Sequence, residues 1–183
     1  MNLSRRLLGI IAGVNGAHID AIISMGPLFC HSLQDFRAGD AETGKGAGLS
    51  DNAIIRLARA GPNLVHVGLD GATHLTDESL LALFVNCASL RYIQFLGDDK
   101  VAGTMRGTAL SVLRDTPSIG KELVKLRLTD RAEFDKGFTT VIKTLSAARK
   151  RPSLIEVGNY ARETWQCQLL ARCEGKVRLP GVW

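Results

Sequence analysis

Apolar residues recur along this chain in one short phrase. An apolar position is followed by two variable ones, a second apolar position, one variable, and a third position that is apolar in all copies but the last. The copies are Leu7-Ile10-Ala12, Leu33-Phe36-Ala38, Leu64-Val67-Leu69, Leu90-Ile93-Phe95, Leu123-Leu126-Leu128 and Leu154-Val157-Asn159, with starts 26, 31, 26, 33 and 31 residues apart. A period of this size predicts a solenoid of strand-plus-helix units, each burying its apolar face on the next.

The clearest unit runs from Pro62 to Cys87. Its first half predicts a strand in which Leu64, Val67 and Leu69 enter the core while Val65, His66 and Gly68 point away. Thr76 then suits a helix N-cap, and Asp77 and Glu78 sit well in a first turn. Leu80, Leu83, Phe84 and Cys87 follow at i, i+3, i+4 and i+7, one face of a helix. The preceding unit repeats the sense: Ser50 and Asp51 open a helix whose Ile54, Leu57, Ala58 and Gly61 hold the matching positions. Later helices are expected around Leu110 and Leu113, and around Phe138, Val141, Ile142 and Leu145 after an Asp135 cap. Pro62, Pro117 and Pro152 fall between a helix and the next strand, where proline stops the helix.

The phrases NLVHVGLDGATHLTDESLLALFVNCASLRYIQF and LSDNAIIRLARAGPNL resemble the cysteine-containing leucine-rich repeats, the subtype best known behind F-box domains in ubiquitin-ligase substrate receptors. The resemblance extends over about residues 7 to 160. Cys30 and Cys87 each stand three residues before the first Leu of a copy; Ser4, Gly61, Gly120 and Arg151 take that place in the others. It implies an α/β leucine-rich-repeat horseshoe, with a parallel sheet on the concave face and helices on the convex one. Residues 1–183 then form a single domain, with repeats beginning near 7, 33, 64, 90, 123 and 154. A C-terminal cap over about 164–183 would use Trp165, Leu169 and Leu170 to cover the last strand edge. A role in ubiquitin-ligase substrate recognition would require an adaptor on another chain, because the residues before Leu7 are too few for an F-box.

The concave face of such a solenoid carries the variable strand positions, which makes it the expected binding surface for another protein. Those positions are Gln34, Asp35 and Arg37; Val65, His66 and Gly68; Arg91, Tyr92 and Gln94; Val124, Lys125 and Arg127; Ile155, Glu156 and Gly158. Arg37, His66, Arg91, Tyr92, Gln94, Lys125 and Arg127 are the candidate partner-binding residues, since Tyr and Arg are enriched at interface hot spots. The first copy differs: Leu8, Gly9 and Ile11 fill its outward positions without polarity, which predicts an association-prone N-terminal end.

Composition narrows the function classes. The chain has 183 residues, 45% of them hydrophobic, and a net charge of +5. The basic residues are scattered, so nucleic-acid binding is permitted but not indicated. No run approaches the roughly 18 apolar residues a membrane span needs. Cys30, Cys87, Cys167 and Cys173 lack CxxC spacing, which points to reduced thiols and an intracellular setting, cytoplasmic or nuclear. Ser4-Arg5-Arg6-Leu7-Leu8 has the charge and following apolar stretch of a secretory or twin-arginine leader, yet it also lies in frame as a repeat.

Catalytic signals are sparse. Gly39 to Gly46 approaches a P-loop, the basis of an alternative nucleotide-binding reading. Gly46 replaces the magnesium-holding Ser or Thr, however, and Gly46-Ala47-Gly48 does not open a helix. His18, His31, His66 and His74 have no i, i+4 pairing, so no metal is expected. Cys30 beside His31 does not make a nucleophile and base, because adjacent residues seldom face each other. The expected protein is a non-catalytic binding module without cofactors.

Overall fold

The second and third apolar positions of the central phrases lie two apart, the spacing that puts both on one face of an extended strand. The computed structural model describes residues 6–11, 13–40, 48–97, 101–129, 136–161, 164–173 and 176–178. In chain order the elements are β1 (Arg6–Ile11), α1 (Gly16–Ser24), α2 (Pro27–Ser32), β2 (Leu33–Ala38), α3 (Asp51–Ala60), β3 (His66–Asp70), α4 (Asp77–Asn86), β4 (Tyr92–Leu96), α5 (Thr108–Asp115), β5 (Lys125–Thr129), α6 (Lys136–Ala148), β6 (Leu154–Ala161), β7 (Thr164–Arg172) and β8 (Lys176–Arg178).

The architecture is mixed α/β. One open sheet takes its strands in sequence order from β1 to β8. The neighbours from β1 to β6 are parallel, joined by helical crossovers, and β7 and β8 follow antiparallel. The helices keep the same order, α3 packing on α4, α4 on α5 and α5 on α6.

Two apolar rows cross the sheet in pairing register. Phe36, Val67, Ile93, Leu126 and Ile155 form one; Ala38, Leu69, Phe95, Leu128 and Val157 form the other. All ten are buried. Against them pack Ile54, Leu57 and Ala58 of α3, Leu80, Leu83 and Phe84 of α4, Leu110 and Leu113 of α5, and Phe138, Ile142 and Leu145 of α6 in one continuous core. The starts of the four central copies, Leu33, Leu64, Leu90 and Leu123, therefore stand in the frame read from the sequence.

Helix starts are tied across units. Ser50 accepts from the amide of Ala53 and Thr76 from that of Glu78, as N-caps do. Asp51, first residue of α3, reaches the start of α4, where its carboxylate accepts from the Thr76 amide and hydroxyl, both at 2.9 Å, and from the Ser79 hydroxyl. Asp77, first residue of α4, does the same for α5, accepting from the amides of Arg106, Gly107 and Ala109 at 2.7 to 3.2 Å.

The two cysteines in frame close helix ends. Cys87 donates its thiol to the carbonyls of Ala58 and Gly61 at 3.6 Å, and Cys30 donates to Ile22. Burial pushes the Cys87 thiol up to about 12, which makes it a packing group rather than a nucleophile. All four cysteines are free thiols.

The outer copies depart from the sequence reading. In β6 it is Leu154 that pairs with Lys125, while Ile155 pairs with Leu126 and Glu156 with Arg127. Ile155 is therefore wholly buried instead of facing outward, Leu154 lies on the outward face, and buried Pro152 takes the place of a first Leu. The two-residue shift puts two aliphatics, Ile155 and Val157, into the core, where the other frame offers Val157 and Asn159. It also makes Arg149, not Arg151, the counterpart of Cys87. In β1 the partners of Phe36 and Ala38 are Leu8 and Ile11, with irregular register between them, rather than Ile10 and Ala12.

At the other end β7 pairs with the edge of β6, and Leu169 and Ala171 join the core. The Asp135 cap and residues 41–46 of the P-loop-like segment lie outside the described residues; Gly39 and Asp40 directly follow β2. Among the described residues no helix is long and apolar enough to cross a membrane.

Candidate functional site

Period-two alternation leaves two rows of side chains on the sheet face away from the helices. The first is Asp35, His66, Tyr92, Lys125 and Leu154, continued by Arg172 of β7; the second is Arg37, Gly68, Gln94, Arg127 and Glu156, continued by Leu170. Neighbours in a row are about 5 Å apart, which brings side chains on adjacent strands within reach of one another.

The rows are internally bonded at both ends. Arg37 binds Asp35 through Nε at 3.1 Å and Nη2 at 3.3 Å, and Nη2 also donates to His66 Nδ1 at 3.0 Å. The His66 ring lies 5.3 Å from that of Tyr92, tilted by 47°. At the other end Glu156 Oε2 receives both Arg127 Nε at 2.7 Å and Lys125 Nζ at 3.0 Å. Burial disfavours the charge on Glu156, but the hydrogen bonds from Lys125 and Arg127 outweigh it and hold the carboxyl below its usual range. Gln94 extends the second of these clusters, accepting from Arg127 Nη1 and donating to Asp70 Oδ1, each at 3.3 Å. Burial, with the nearby charge of Asp40, raises Asp70 against the Gln94 hydrogen bond that lowers it.

Of the seven candidates named from sequence, Arg37, His66, Gln94, Lys125 and Arg127 are thus engaged with neighbours on the same face. Tyr92 meets the His66 ring and stays 37% exposed. Arg91 is exposed, and neither its guanidinium nor the Tyr92 hydroxyl has a hydrogen-bond partner among the described residues. These two line an open depression of about 670 Å³ together with Asp35, His66, Val65, Gln34, Ser89 and Glu122. Sequence reasoning passed over Asp70, although it continues the alternation of His66 and Gly68, and it missed Ser89 and Glu122, which lie in the turns just before the strands.

His66 accepts from Arg37 at Nδ1, so the neutral ring carries its proton on Nε2. Burial lowers its pKa, Arg37 lowers it further, and Asp35 opposes both. A depressed folded value means that the contribution of His66 to stability is present above pH 6.5 and fades as the pH falls through that lower value. The imidazole should titrate below 6.5 in an NMR experiment, and Arg37→Ala should move the midpoint upward, because one of the two lowering influences is removed while Asp35 stays. An unchanged midpoint would show that Arg37 does not control the ring.

No protein-family model matches this chain, and no curated protein matches its sequence.

Proposed function

We propose that this chain is a leucine-rich-repeat solenoid that binds another protein, without catalysis, through the sheet face centred on Arg91 and Tyr92. In support of the repeat reading stand six parallel strands in sequence order, the aliphatic rows they share, and the thiol of Cys87 closing the preceding helix. The observation that carries the binding reading is that the Arg91 guanidinium and the Tyr92 hydroxyl, which have no hydrogen-bond partner among the described residues, stand beside an open depression, next to Arg37, His66, Lys125 and Arg127, which neighbours on the same face hold. Side chains held in place lose less freedom on docking, exposed Tyr supplies contact area at low entropic cost, and Arg is enriched at hot spots. Substrate recognition in a ubiquitin ligase is the role we attach to this reading from the cysteine positions, with an adaptor on another chain.

The test is affinity capture of wild type against an Arg91→Ala, Tyr92→Ala double variant. A central hot spot contributes about 2 kcal/mol or more, so partners should bind the variant at least about thirtyfold more weakly. Ligase adaptors among the captured proteins would support the attached role. Identical partners for both proteins would refute the sheet-face reading, since both substitutions are on exposed side chains and leave the core intact.

A further inference from the structure

Asp35, Arg37 and His66 form an arrangement that suits one protonation state only. Arginine can only donate, so the 3.0 Å contact from Arg37 Nη2 makes His66 Nδ1 an acceptor, which it can be only in the neutral ring. The same Nη2 donates to Asp35 Oδ2 at 3.3 Å, while Nε donates to Oδ1 at 3.1 Å. Asp35 Oδ2 lies 3.5 Å from His66 Nδ1, two acceptors facing each other without a proton between them.

A proton added at Nδ1 inverts these roles. Nδ1 becomes a donor facing the donor Nη2, and two cations stand where a hydrogen bond held one cation to a neutral ring. Asp35 Oδ2 is an acceptor within reach of both. Once it closes on the protonated Nδ1, Arg37 Nη2 has lost both of these acceptors, and Nε alone ties the guanidinium to Asp35.

The charged and titratable groups around the ring are few. Asp35 and Arg37 face it from β2, and Tyr92 faces it from β4 with its ring 5.3 Å away. Arg91 and Glu122 line the same depression, and Asp70, on the ring's own strand, is bonded to Gln94. Burial and the Arg37 charge outweigh Asp35 and hold the ring below its ordinary value, so it is neutral at pH 7 and takes its proton on acidification.

We infer that His66 is a proton-operated switch on this face: a proton taken from solvent at Nδ1 transfers Asp35 Oδ2 from Arg37 to His66 and releases the Arg37 guanidinium. The depression changes with it. With the ring neutral, its lining holds two acids, Asp35 and Glu122, against one base, Arg91; the charged ring makes the two signs equal. A partner docking there would meet a different charge and a loosened arginine at acid pH. The switch goes beyond the proposed docking and stands without it.

The test is NMR of the whole chain, its arginine and histidine side chains labelled with nitrogen-15, from about pH 7.5 to about 5. As His66 takes its proton, rotation of the Arg37 guanidinium should quicken about tenfold, the factor for losing one hydrogen bond of ordinary strength, with the same midpoint as the ring. The Arg114 guanidinium, held by Asp115 and Thr144, should not change. In His66→Asn the amide oxygen can accept from Arg37 but takes no proton, so the step should vanish. Constant Arg37 rotation while His66 titrates, a step with another midpoint, or a ring still neutral at about pH 5 would overturn the inference in the wild-type chain alone. A step that survives in His66→Asn would belong to another group, such as Asp70, whose carboxyl burial raises, and would overturn it too.

Discussion

Asp77→Ala is expected to destabilise the fold by about 3 kcal/mol, although Asp77 lies in no catalytic or binding arrangement. Its carboxylate takes three backbone amides at the start of α5, those of Arg106, Gly107 and Ala109. That helix cannot cap itself: its N-cap is Gly107, with φ of 91° and no side chain to offer an oxygen. Alanine leaves three donors without their acceptor and removes an acid from the first turn of α4, where the helix dipole favours it. Hydrogen bonds to a charged group are worth about 1.5 to 3 kcal/mol, and water can reach part of this half-buried site, which sets the estimate below their sum. Asp77→Asn keeps one oxygen and should lie between. Urea unfolding checks both, and a loss under 1 kcal/mol for the alanine variant would mean that the link between α4 and α5 is not cooperative.

Asp77 also shows where the sequence was legible. The spacing placed it correctly in the first turn of α4, because capping and dipole preferences are local. That its oxygens cap the next helix depends on how the units stack, which one unit's sequence does not carry. The same boundary runs through the candidate site. Alternation identified Tyr92 and Lys125 as outward because the apolar positions of the central strands fit only one face, and Arg91 came from the two variable positions that follow the first Leu of its copy. The pairing of Glu156 with Arg127 was hidden, since Val157 satisfies two frames of β6 and only burial of Ile155 decides between them. The two-residue slip keeps Glu156 outward but exchanges Leu154 and Ile155 between the faces, so in β6 the face was read only in part and its ion pairs were not read.

The slip in β6 leads to the second large expected effect, at Arg149. Counted from Pro152, Arg149 holds the place that Cys87 holds before Leu90, and it does the same task by another chemistry. Its guanidinium donates to the carbonyls of Leu113 and Thr116 at the end of α5 and, at 2.9 Å, to that of Ile119 in the turn beyond. Cys87 meets a helix whose end lies close, within reach of a thiol. Between α5 and β5 the chain inserts Pro117-Ser118-Ile119-Gly120, which spreads the open carbonyls along a longer turn; a planar group with several donors on a long stem can reach them all. Positive charge also suits the carbonyl end of a helix. Arg149→Ala should therefore destabilise by about 2 to 3 kcal/mol, or about 5 to 10 °C in Tm for a chain of this size. Arg149→Cys should fare no better, because a thiol cannot span the turn, whereas Arg149→Lys should recover part of the loss. Thermal unfolding followed by circular dichroism distinguishes these. A cysteine variant as stable as wild type would mean that the position asks only for a small buried donor, and that the inserted turn closes down on it.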